Sequence, residues 1–151
     1  MERYGLPLKH KLLPEYLKDV GYETALVGKW HLGMYRNEYL PGNRGFDTTY
    51  GHLGGGIGYF DHAVSGRMDW HRNGEVLYED GYSTNLIANE AIKIINGKDN
   101  EAPLFLYVAF NAPHTPIQAE EKDIELMNNI KDKKERIYAA NIFALDRACL
   151  L

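Results

Sequence analysis

The 151-residue sequence lacks several features that would place it in a specialised class of protein. Its single cysteine, Cys149, excludes an internal disulfide. It has no run of about 18 apolar residues, and its first residues are polar, so neither a membrane-spanning helix nor a signal peptide is predicted. Its formal net charge of -4, with no basic face, argues against a nucleic-acid partner. We therefore expect an ordinary globular domain.

What the sequence does contain is typical of one such domain. Hydrophobic residues make up 44% of the chain and charged residues 25%, and no repeat or low-complexity linker divides it. Its 11 tyrosines and 15 glycines concentrate in the middle third, which indicates a loop-rich surface. Both ends look cut, because Cys149 to Leu151 lie inside a helical pattern with no cap. We therefore expect a piece of a longer protein.

Hydrophobic periodicity and turn residues predict alternating helices and strands. Strand 103–110 is apolar on both faces, which predicts a central strand. A helix precedes it, as in a right-handed βαβ unit with parallel strands. The sequence therefore predicts an α/β fold: a mostly parallel sheet with flanking helices and an exposed hairpin around Asn73-Gly74. The predicted elements are helix 9–20, strand 23–28, strand 46–50, hairpin strands 68–72 and 75–79, helix 83–96, strand 103–110 and helix 133–150.

Each predicted helix has one apolar stripe that is expected to face the core. Ser83 or Thr84 is expected to cap the second helix, and Gly21 to end the first. The stripes comprise Leu13, Tyr16, Leu17 and Val20 in the first helix, Ile87, Ala91, Ile94 and Ile95 in the second, and Tyr138, Ile142, Leu145 and Cys149 in the third.

Cationic and titratable side chains follow two of the predicted strands. Lys29 and His31 come directly after strand 23–28, and His114 follows strand 103–110 in a loop that its flanking prolines are expected to keep extended. The carboxyl ends of parallel strands meet at one edge of a sheet, where ligands bind. A lysine and two histidines there suit an anionic tetrahedral group, because lysine supplies a point charge and histidine a proton near neutral pH. The alternative is that Lys29 is a surface lysine and both histidines bond loop backbone.

The middle of the chain gives weaker candidates. The glycine-rich run 54–58 lacks the ending of a phosphate-binding loop, so we expect a flexible loop near the site. Arg44 and Asp47 are expected to fix the loop after Lys29, and Asp146 to be structural. The remaining polar and aromatic residues of this region could form a sugar-binding cleft, and plain packing within the loops is the open alternative. In the first interpretation, the residues that line the cleft are His52, His62, His71, Trp70 and Arg72, and the rings that stack on a sugar are Tyr59 and Phe60.

Three blocks of the sequence resemble one known family. Residues 21–33, which contain Gly28-Lys29-Trp30-His31-Leu32-Gly33, resemble the second signature of the sulfatase family, within the alkaline-phosphatase-like superfamily. The Arg-Gly-Phe-Asp of residues 44–47 resembles the block that follows it there. Residues 103–107 and 112–116 resemble the later block that ends in Pro-His-x-Pro. The blocks run in family order across residues 12–146, and the closest resemblance is to arylsulfatase B-like members.

The resemblance implies a fold, a reaction and residue roles. The fold would be a partial alkaline-phosphatase-like sandwich, with residues 1–151 forming the central part of a sulfatase catalytic domain, incomplete at both ends. The reaction would be hydrolysis of a sulfate ester, on a sulfated small molecule or saccharide, by a formylglycine made from Cys or Ser beside a bound Ca²⁺. Lys29 would contact the sulfate and the nucleophile, His31 would hydrogen-bond the formylglycine hydroxyl, and His114 would bind sulfate and assist the leaving group. His71 and Trp70 are the additional candidates for substrate binding.

The sequence also departs from that family. It has no Cys/Ser-x-Pro-x-Arg motif, no counterpart of the aspartate and asparagine pairs that bind calcium, and no second sulfate-binding lysine. We expect these to lie outside residues 1–151, in a secreted, periplasmic or lysosomal parent, and we expect the chain alone to be inactive. The alternatives are a phosphate or phosphonate ester hydrolase of the same superfamily, or an inert anion-binding fragment.

Overall fold

The computed structural model describes residues 5–98 and 101–151 of the chain. Helices pack around a five-stranded sheet, and a small two-stranded sheet lies in the long middle loop. The elements are α1 (Leu13–Asp19), β1 (Glu23–Lys29), β2 (Thr48–His52), β3 (Ala63–Val64), β4 (Arg67–Met68), β5 (His71–Arg72), β6 (Glu75–Val76), α2 (Ser83–Gly97), β7 (Leu104–Ala109), α3 (Glu121–Leu126) and α4 (Lys133–Cys149), with short 3-10 turns at Asn37–Tyr39 and Pro41–Arg44.

The order of strands in the large sheet is β6-β5-β2-β1-β7. β1 is parallel to both of its neighbours, while the β5–β6 hairpin continues the sheet in antiparallel fashion. Residues 24–28 of β1 are all buried, as expected for a strand covered on both faces. The predicted α/β fold with a mostly parallel sheet, flanking helices and a hairpin is therefore confirmed.

Strand β7 corrects one prediction about this sheet. It pairs with β1 as expected but lies at the edge, because no strand among the described residues pairs with its other side. Tyr107 in its middle is 48% exposed. The predicted strand 46–50 is also displaced, to Thr48–His52. Phe46 instead packs on Trp30 in the core, and the Asp47 carboxylate accepts hydrogen bonds from Thr24.

The Asn73-Gly74 hairpin is confirmed, with shorter strands than predicted. Both turn residues have positive φ, 50° and 87°, as a two-residue hairpin turn of the favoured type requires. The hairpin is not an isolated ribbon, because β5 pairs with β2. Its strands are only two residues long, since the preceding Trp70 turns into the core.

The helices form near the predicted positions but bury different faces. The first begins at Leu13, and Leu13, Tyr16 and Val20 are 55–69% exposed. In α4 the buried side is built from small residues such as Ala140 and Ala144, which allow close packing, while the predicted stripe is exposed at Tyr138, Ile142 and Cys149. None of the described helices is long and apolar enough to cross a membrane.

The ends of two helices also differ from the sequence expectation. Tyr82 occupies the N-cap of α2 without a side-chain hydrogen bond, so neither Ser83 nor Thr84 caps it. Ser83 instead donates a hydrogen bond to Asn111, just beyond β7. Ile87 and Ala91 are buried as predicted, whereas Ile95 is 53% exposed. α3 is a further helix that the periodicity did not predict.

Candidate active site

The carboxyl ends of three parallel strands meet at one edge of the sheet. Lys29, the last residue of β1, lies in register with His52, the last residue of β2. Gly28 lies in register with Ala109, the last residue of β7. The segments that carry Lys29, His31 and His114 therefore leave the sheet at the same edge, as the sequence predicted.

Lys29 is the fixed positive charge of this edge. Its side chain is partly buried, and among residues 5–98 and 101–151 no carboxylate forms an ion pair with it. An ammonium group without a carboxylate partner, at the end of a buried strand, is suited to an anionic ligand.

His31 is exposed, and the backbone holds it in an unusual conformation. Its φ is 56°, in the left-handed region that residues other than glycine seldom adopt. Its backbone N–H donates to the Leu53 carbonyl at 3.1 Å. Its ring lies directly against Gly55, because a Cβ atom placed on Gly55 would be 2.8 Å from both Cε1 and Nε2 of the imidazole. The edge of the sheet thus presents this ring to solvent with glycine behind it.

His114 lies in a turn and not in the extended loop that its flanking prolines suggested. Its backbone N–H donates to the Asn111 carbonyl at 2.8 Å, and both prolines follow cis peptide bonds. Ring Nδ1 lies 2.7 Å from the Thr115 carbonyl. Since a carbonyl can only accept, Nδ1 is the donor, and Nε2 is left to face a ligand. The ring is exposed and rests on Gly56, whose Cβ position would be 2.7 Å from Nδ1.

The glycine loop therefore brings the two histidines together. Gly55 contacts the ring of His31, and the adjacent Gly56 contacts that of His114. Neighbouring Cα atoms are about 3.8 Å apart, so the two rings contact adjacent residues of this loop. The loop thus lies against two of the candidate site residues, and its predicted flexibility stays a prediction. At its beginning, the Leu53 and Gly54 N–H groups donate to the Asp69 carboxylate at 3.0 and 2.8 Å.

His52 lies beside Lys29 in the sheet but belongs to the interior. It is 1% exposed, and neither ring nitrogen has a hydrogen-bond partner within the described part of the chain. Burial lowers the pKa of His52 to about 4; the Asp69 carboxylate opposes this effect, and the charge of Lys29 adds to it. His52 is therefore neutral at pH 7. Together with His71 it lines a cavity of about 290 Å³, so a role of His52 in a sugar cleft stays a prediction.

The structure removes Trp70 and two other aromatic candidates from any cleft. Trp70 is 0% exposed, and its indole N–H donates to Glu79 at 2.7 Å. His62, 1% exposed, stacks on Trp70 with ring centroids 4.7 Å apart. Tyr59 is 0% exposed, so it cannot stack on a sugar. These side chains are buried because they join the hairpin and the middle loop to the core. The substrate-binding role predicted for Trp70 is wrong.

The other polar candidates lie beside the site or have partners of their own. Arg72 forms a bidentate ion pair with Glu90, at 2.5 and 2.8 Å. Nε2 of His71 lies 3.1 Å from Asp69, and His71 lines a cavity of about 290 Å³. None of the three strand-end residues lines that cavity, so it is not the site they form. A role of His71 in substrate binding stays a prediction, as does one for Phe60, which is 46% exposed.

Arg44 and Asp47 fix the loop after Lys29, as expected. Arg44 is 2% exposed and donates to the carbonyls of Leu6 and His10 at 3.1 and 2.8 Å. Although burial alone would raise it, hydrogen bonds from Lys18 and Thr24 lower the pKa of Asp47. The side chains of both residues therefore bond to other groups of the fold.

The described residues do not fit a calcium site. Across residues 5–98 and 101–151 there is no group of three or more His, Cys, Asp or Glu side chains that could hold a metal ion. The only cysteine, Cys149, is exposed at the end of α4. The geometry thus provides a lysine and two histidines at a strand edge, without a metal centre of its own.

Comparison with known proteins identifies the family. The Sulfatase family model matches residues 2–146. The chain belongs to the sulfatase family. It is 41% identical over 152 aligned residues to arylsulfatase J of Mus musculus, with 95% of this chain and 25% of the relative covered. It is 34% identical to the arylsulfatase of Klebsiella aerogenes, with 91% of this chain and 31% of the relative covered.

Solved sulfatase structures share the fold. The crystal structure of Ps i-CgsB in complex with k-i-k-neocarrahexaose matches with a TM-score of 0.87 and 34% identity, over 98% of this chain and 36% of that one. The structure of BT4656 in complex with its substrate D-glucosamine-2-N,6-O-disulfate matches with a TM-score of 0.66 and 26% identity, over 83% of this chain and 23% of that one. The fold is the alkaline-phosphatase-like α/β fold of sulfatases, and the chain spans about a quarter to a third of the length of these relatives.

Proposed function

We propose that this sulfatase segment supplies part of the active site of a sulfuric ester hydrolase, the part that binds the sulfate group and assists departure of the alcohol. The observation that carries the proposal is that Lys29, His31 and His114 leave the sheet at one edge, with the two imidazoles against the adjacent residues Gly55 and Gly56. Preorganised donors of this kind stabilise the charge that develops on a transferring group.

Each residue has a chemical role in this proposal. Lys29 binds a nonbridging sulfate oxygen with its ammonium group, and His31 hydrogen-bonds the attacking hydroxyl group. His114, held by its Nδ1–H bond to Thr115, acts through Nε2. The attacking hydroxyl oxygen forms a bond to sulfur and gives up its proton to a base outside residues 1–151. As the bond between sulfur and the ester oxygen breaks, its electron pair stays on that oxygen, which takes the proton of a protonated Nε2. The leaving group thus departs as an alcohol.

The nucleophile and the metal are assigned to other parts of the protein. We propose that the attacking hydroxyl belongs to a formylglycine made from a Cys or Ser outside residues 1–151, and that calcium ligands also lie there. In support, the sequence has no Cys/Ser-x-Pro-x-Arg motif, and the described residues do not fit a metal site. These 151 residues alone should therefore release no p-nitrophenol from p-nitrophenyl sulfate, and measurable release would contradict this division of the site.

The proposed substrate is a sulfated saccharide. Two similar structures are complexes with saccharides, a neocarrahexaose and a glucosamine disulfate. The partly exposed Phe60 and His71 are the residues proposed to contact a sugar ring. A phosphate or phosphonate ester is the second candidate, since a lysine and two histidines also suit those anions. Sulfate esters carry one charge less, which fits a site with a single lysine better.

The proposal is tested in a longer reading frame that contains this segment and a Cys/Ser-x-Pro-x-Arg motif. Hydrolysis of p-nitrophenyl sulfate and of p-nitrophenyl phosphate is compared for the wild type, Lys29→Ala and the control Lys131→Ala, which changes an exposed lysine at the start of the distant α4. We expect faster hydrolysis of the sulfate, and a loss of about 100-fold or more only for Lys29→Ala. An unchanged rate for Lys29→Ala would remove this residue from the site.

A further inference from the structure

We infer that Asp69 and Tyr59 are positioning residues that clamp the two ends of the glycine strap, residues 53–59, and thereby fix the imidazoles of His31 and His114 relative to each other. The inference rests on the proposed function only where it speaks of catalysis, since the clamp itself is a matter of geometry. Neither Asp69 nor Tyr59 faces a ligand, because they are 5% and 0% exposed.

Asp69 holds the beginning of the strap. Its carboxylate accepts hydrogen bonds from the backbone N–H groups of Leu53 and Gly54, and from His71. Although burial alone would raise it, these donors lower the pKa of Asp69, so the carboxylate is charged at neutral pH and binds them strongly. The Leu53 carbonyl in turn accepts from the N–H of His31. A continuous chain of hydrogen bonds therefore runs from Asp69 to His31.

Tyr59 holds the end of the strap. Its hydroxyl donates to the His114 carbonyl at 2.9 Å, and its backbone N–H donates to the Gln118 side chain at 2.7 Å. Burial raises the pKa of Tyr59, so the hydroxyl keeps the proton that it donates. The loop that carries His114 is thus tied directly to the strap.

Between the clamps, glycine lets the two rings approach the backbone. Atoms of the His31 and His114 rings lie 2.8 and 2.7 Å from the positions that Cβ atoms of Gly55 and Gly56 would fill, which is closer than a side chain there would allow. Since the strap is fixed at both ends and the rings rest on its middle, a displaced strap moves both rings. Both histidines are exposed, so the strap limits the motion of both rings, and in His114 the hydrogen bond from Nδ1 to the Thr115 carbonyl adds to this limit.

The test uses the full chain and two substitutions that keep the side chain nearly the same size. Asp69→Asn keeps the shape of the side chain but presents an NH₂ group to one of the backbone donors, and Tyr59→Phe removes one oxygen. Imidazole NMR signals of His31 and His114, and amide hydrogen exchange of Leu53 and Gly54, are compared with those of Asp146→Asn, which changes the charge of an exposed carboxylate on α4. The indole N–H signal of buried Trp70 reports whether the core stays intact.

We expect Asp69→Asn to shift the ring signals of His31 and to speed exchange of the Gly54 amide about tenfold, with the Trp70 signal unchanged. Tyr59→Phe should shift the ring signals of His114 more than those of His31. Asp146→Asn should shift the ring signals of neither histidine. Unmoved ring signals in both variants would overturn the inference. If Asp69→Asn unfolds the chain, Tyr59→Phe decides alone, and an unmoved His114 ring is then the contrary result. None of these readouts involves sulfate. The inference about the clamp can therefore be correct if the proposed activity is not found, and the proposed activity can be found if the clamp is not.

Discussion

Four histidines show how the strand-end edge of this molecule differs from its interior. At the edge, His31 and His114 are exposed, and glycines support their rings. In the interior, His52 and His62 are each 1% exposed and surrounded by other side chains. His62 stacks on an indole and donates to the Gly81 carbonyl, while His52 remains neutral through burial. The same residue type is therefore open to a ligand where the backbone leaves room for one, and it packs among other side chains where they fill that space.

The largest expected effect is a difference in catalytic activity between variants of the exposed histidines at the edge and variants of the buried histidines. In a longer, active protein, His114→Ala should lower kcat/KM for p-nitrophenyl sulfate by roughly 10²–10⁴-fold, the range for loss of a general acid. Its melting temperature should stay close to that of the wild type, because the ring is exposed. Steady-state kinetics and thermal unfolding of the same samples give both numbers.

The matched variant is His62→Ala. It should lower the melting temperature, since the ring stacks on Trp70 in the core. Its kcat/KM per folded molecule should stay near the wild-type value. If His62→Ala lost activity as severely as His114→Ala while remaining folded, the contrast between edge and interior would fail.

The second prediction tests the interior through an aromatic pair. Trp70→Ala should lower the free energy of unfolding by roughly 3–5 kcal/mol, because it empties a fully buried indole site and removes one of the hydrogen bonds that Glu79 accepts. Phe60→Ala, at a residue that is 46% exposed, should cost less than about 1 kcal/mol. Urea unfolding followed by circular dichroism measures both values. Similar losses for the two variants would mean that exposure does not distinguish these aromatic residues.

The edge was more predictable from the sequence than the interior. Lys29, His31 and His114 each follow an apolar strand, and parallel strands direct their carboxyl ends to one edge, so local patterns and one topological rule place all three together. Asp69 carries no such signal. It lies in an irregular loop, and its partners, Leu53 and Gly54, are 15 or more residues away in sequence. Only the folded chain shows that it holds the strap.

Burial of individual side chains was the least predictable property. Helix α4 illustrates the reason, because periodicity selected Tyr138 and Ile142, whereas packing selected Ala140 and Ala144. Close helix packing favours small residues, and hydrophobicity alone ranks them below the larger ones. The same limit explains the error at Trp70, since an aromatic residue in a loop gives no local sign of which side of the chain faces the core.

The third prediction uses pH to distinguish His52 from exposed histidines. The pKa of His52 is about 4 in the folded chain against 6.5 ordinarily, so the unfolded chain binds this proton first as the pH falls. The contribution of His52 to stability is therefore complete above pH 6.5 and is lost progressively down to about pH 4, by an amount of ~3 kcal/mol. The facing charges are Asp69, which opposes the shift, and Lys29 and His31, which favour it.

The measurement is the unfolding free energy at about pH 7.5 and about pH 4.5 for the wild type, His52→Gln and His10→Gln, where His10 is exposed. His52→Gln should show a smaller loss of stability between the two pH values than the wild type, and His10→Gln the same loss. An equal pH dependence for all three would show that His52 is not held neutral by burial.

The smallest expected effect concerns the glycines that contact the rings of His31 and His114. Gly56→Ala should leave the fold intact, because φ at this residue is not in the left-handed region, the nearest atom at 2.7 Å belongs to the ring of His114, and the Thr115 carbonyl oxygen at 3.0 Å has to shift by only a few tenths of an ångström. The ring must shift, and a misplacement of about 1 Å can cost about 100-fold in rate. Gly42→Ala is the control, since nothing lies within 4 Å of its Cβ position. A loss of kcat/KM confined to Gly56→Ala, at an unchanged melting temperature, would show that the edge requires the absence of a side chain as much as the presence of a histidine. Equal activity in the two variants would mean that the ring of His114 finds its position without the strap.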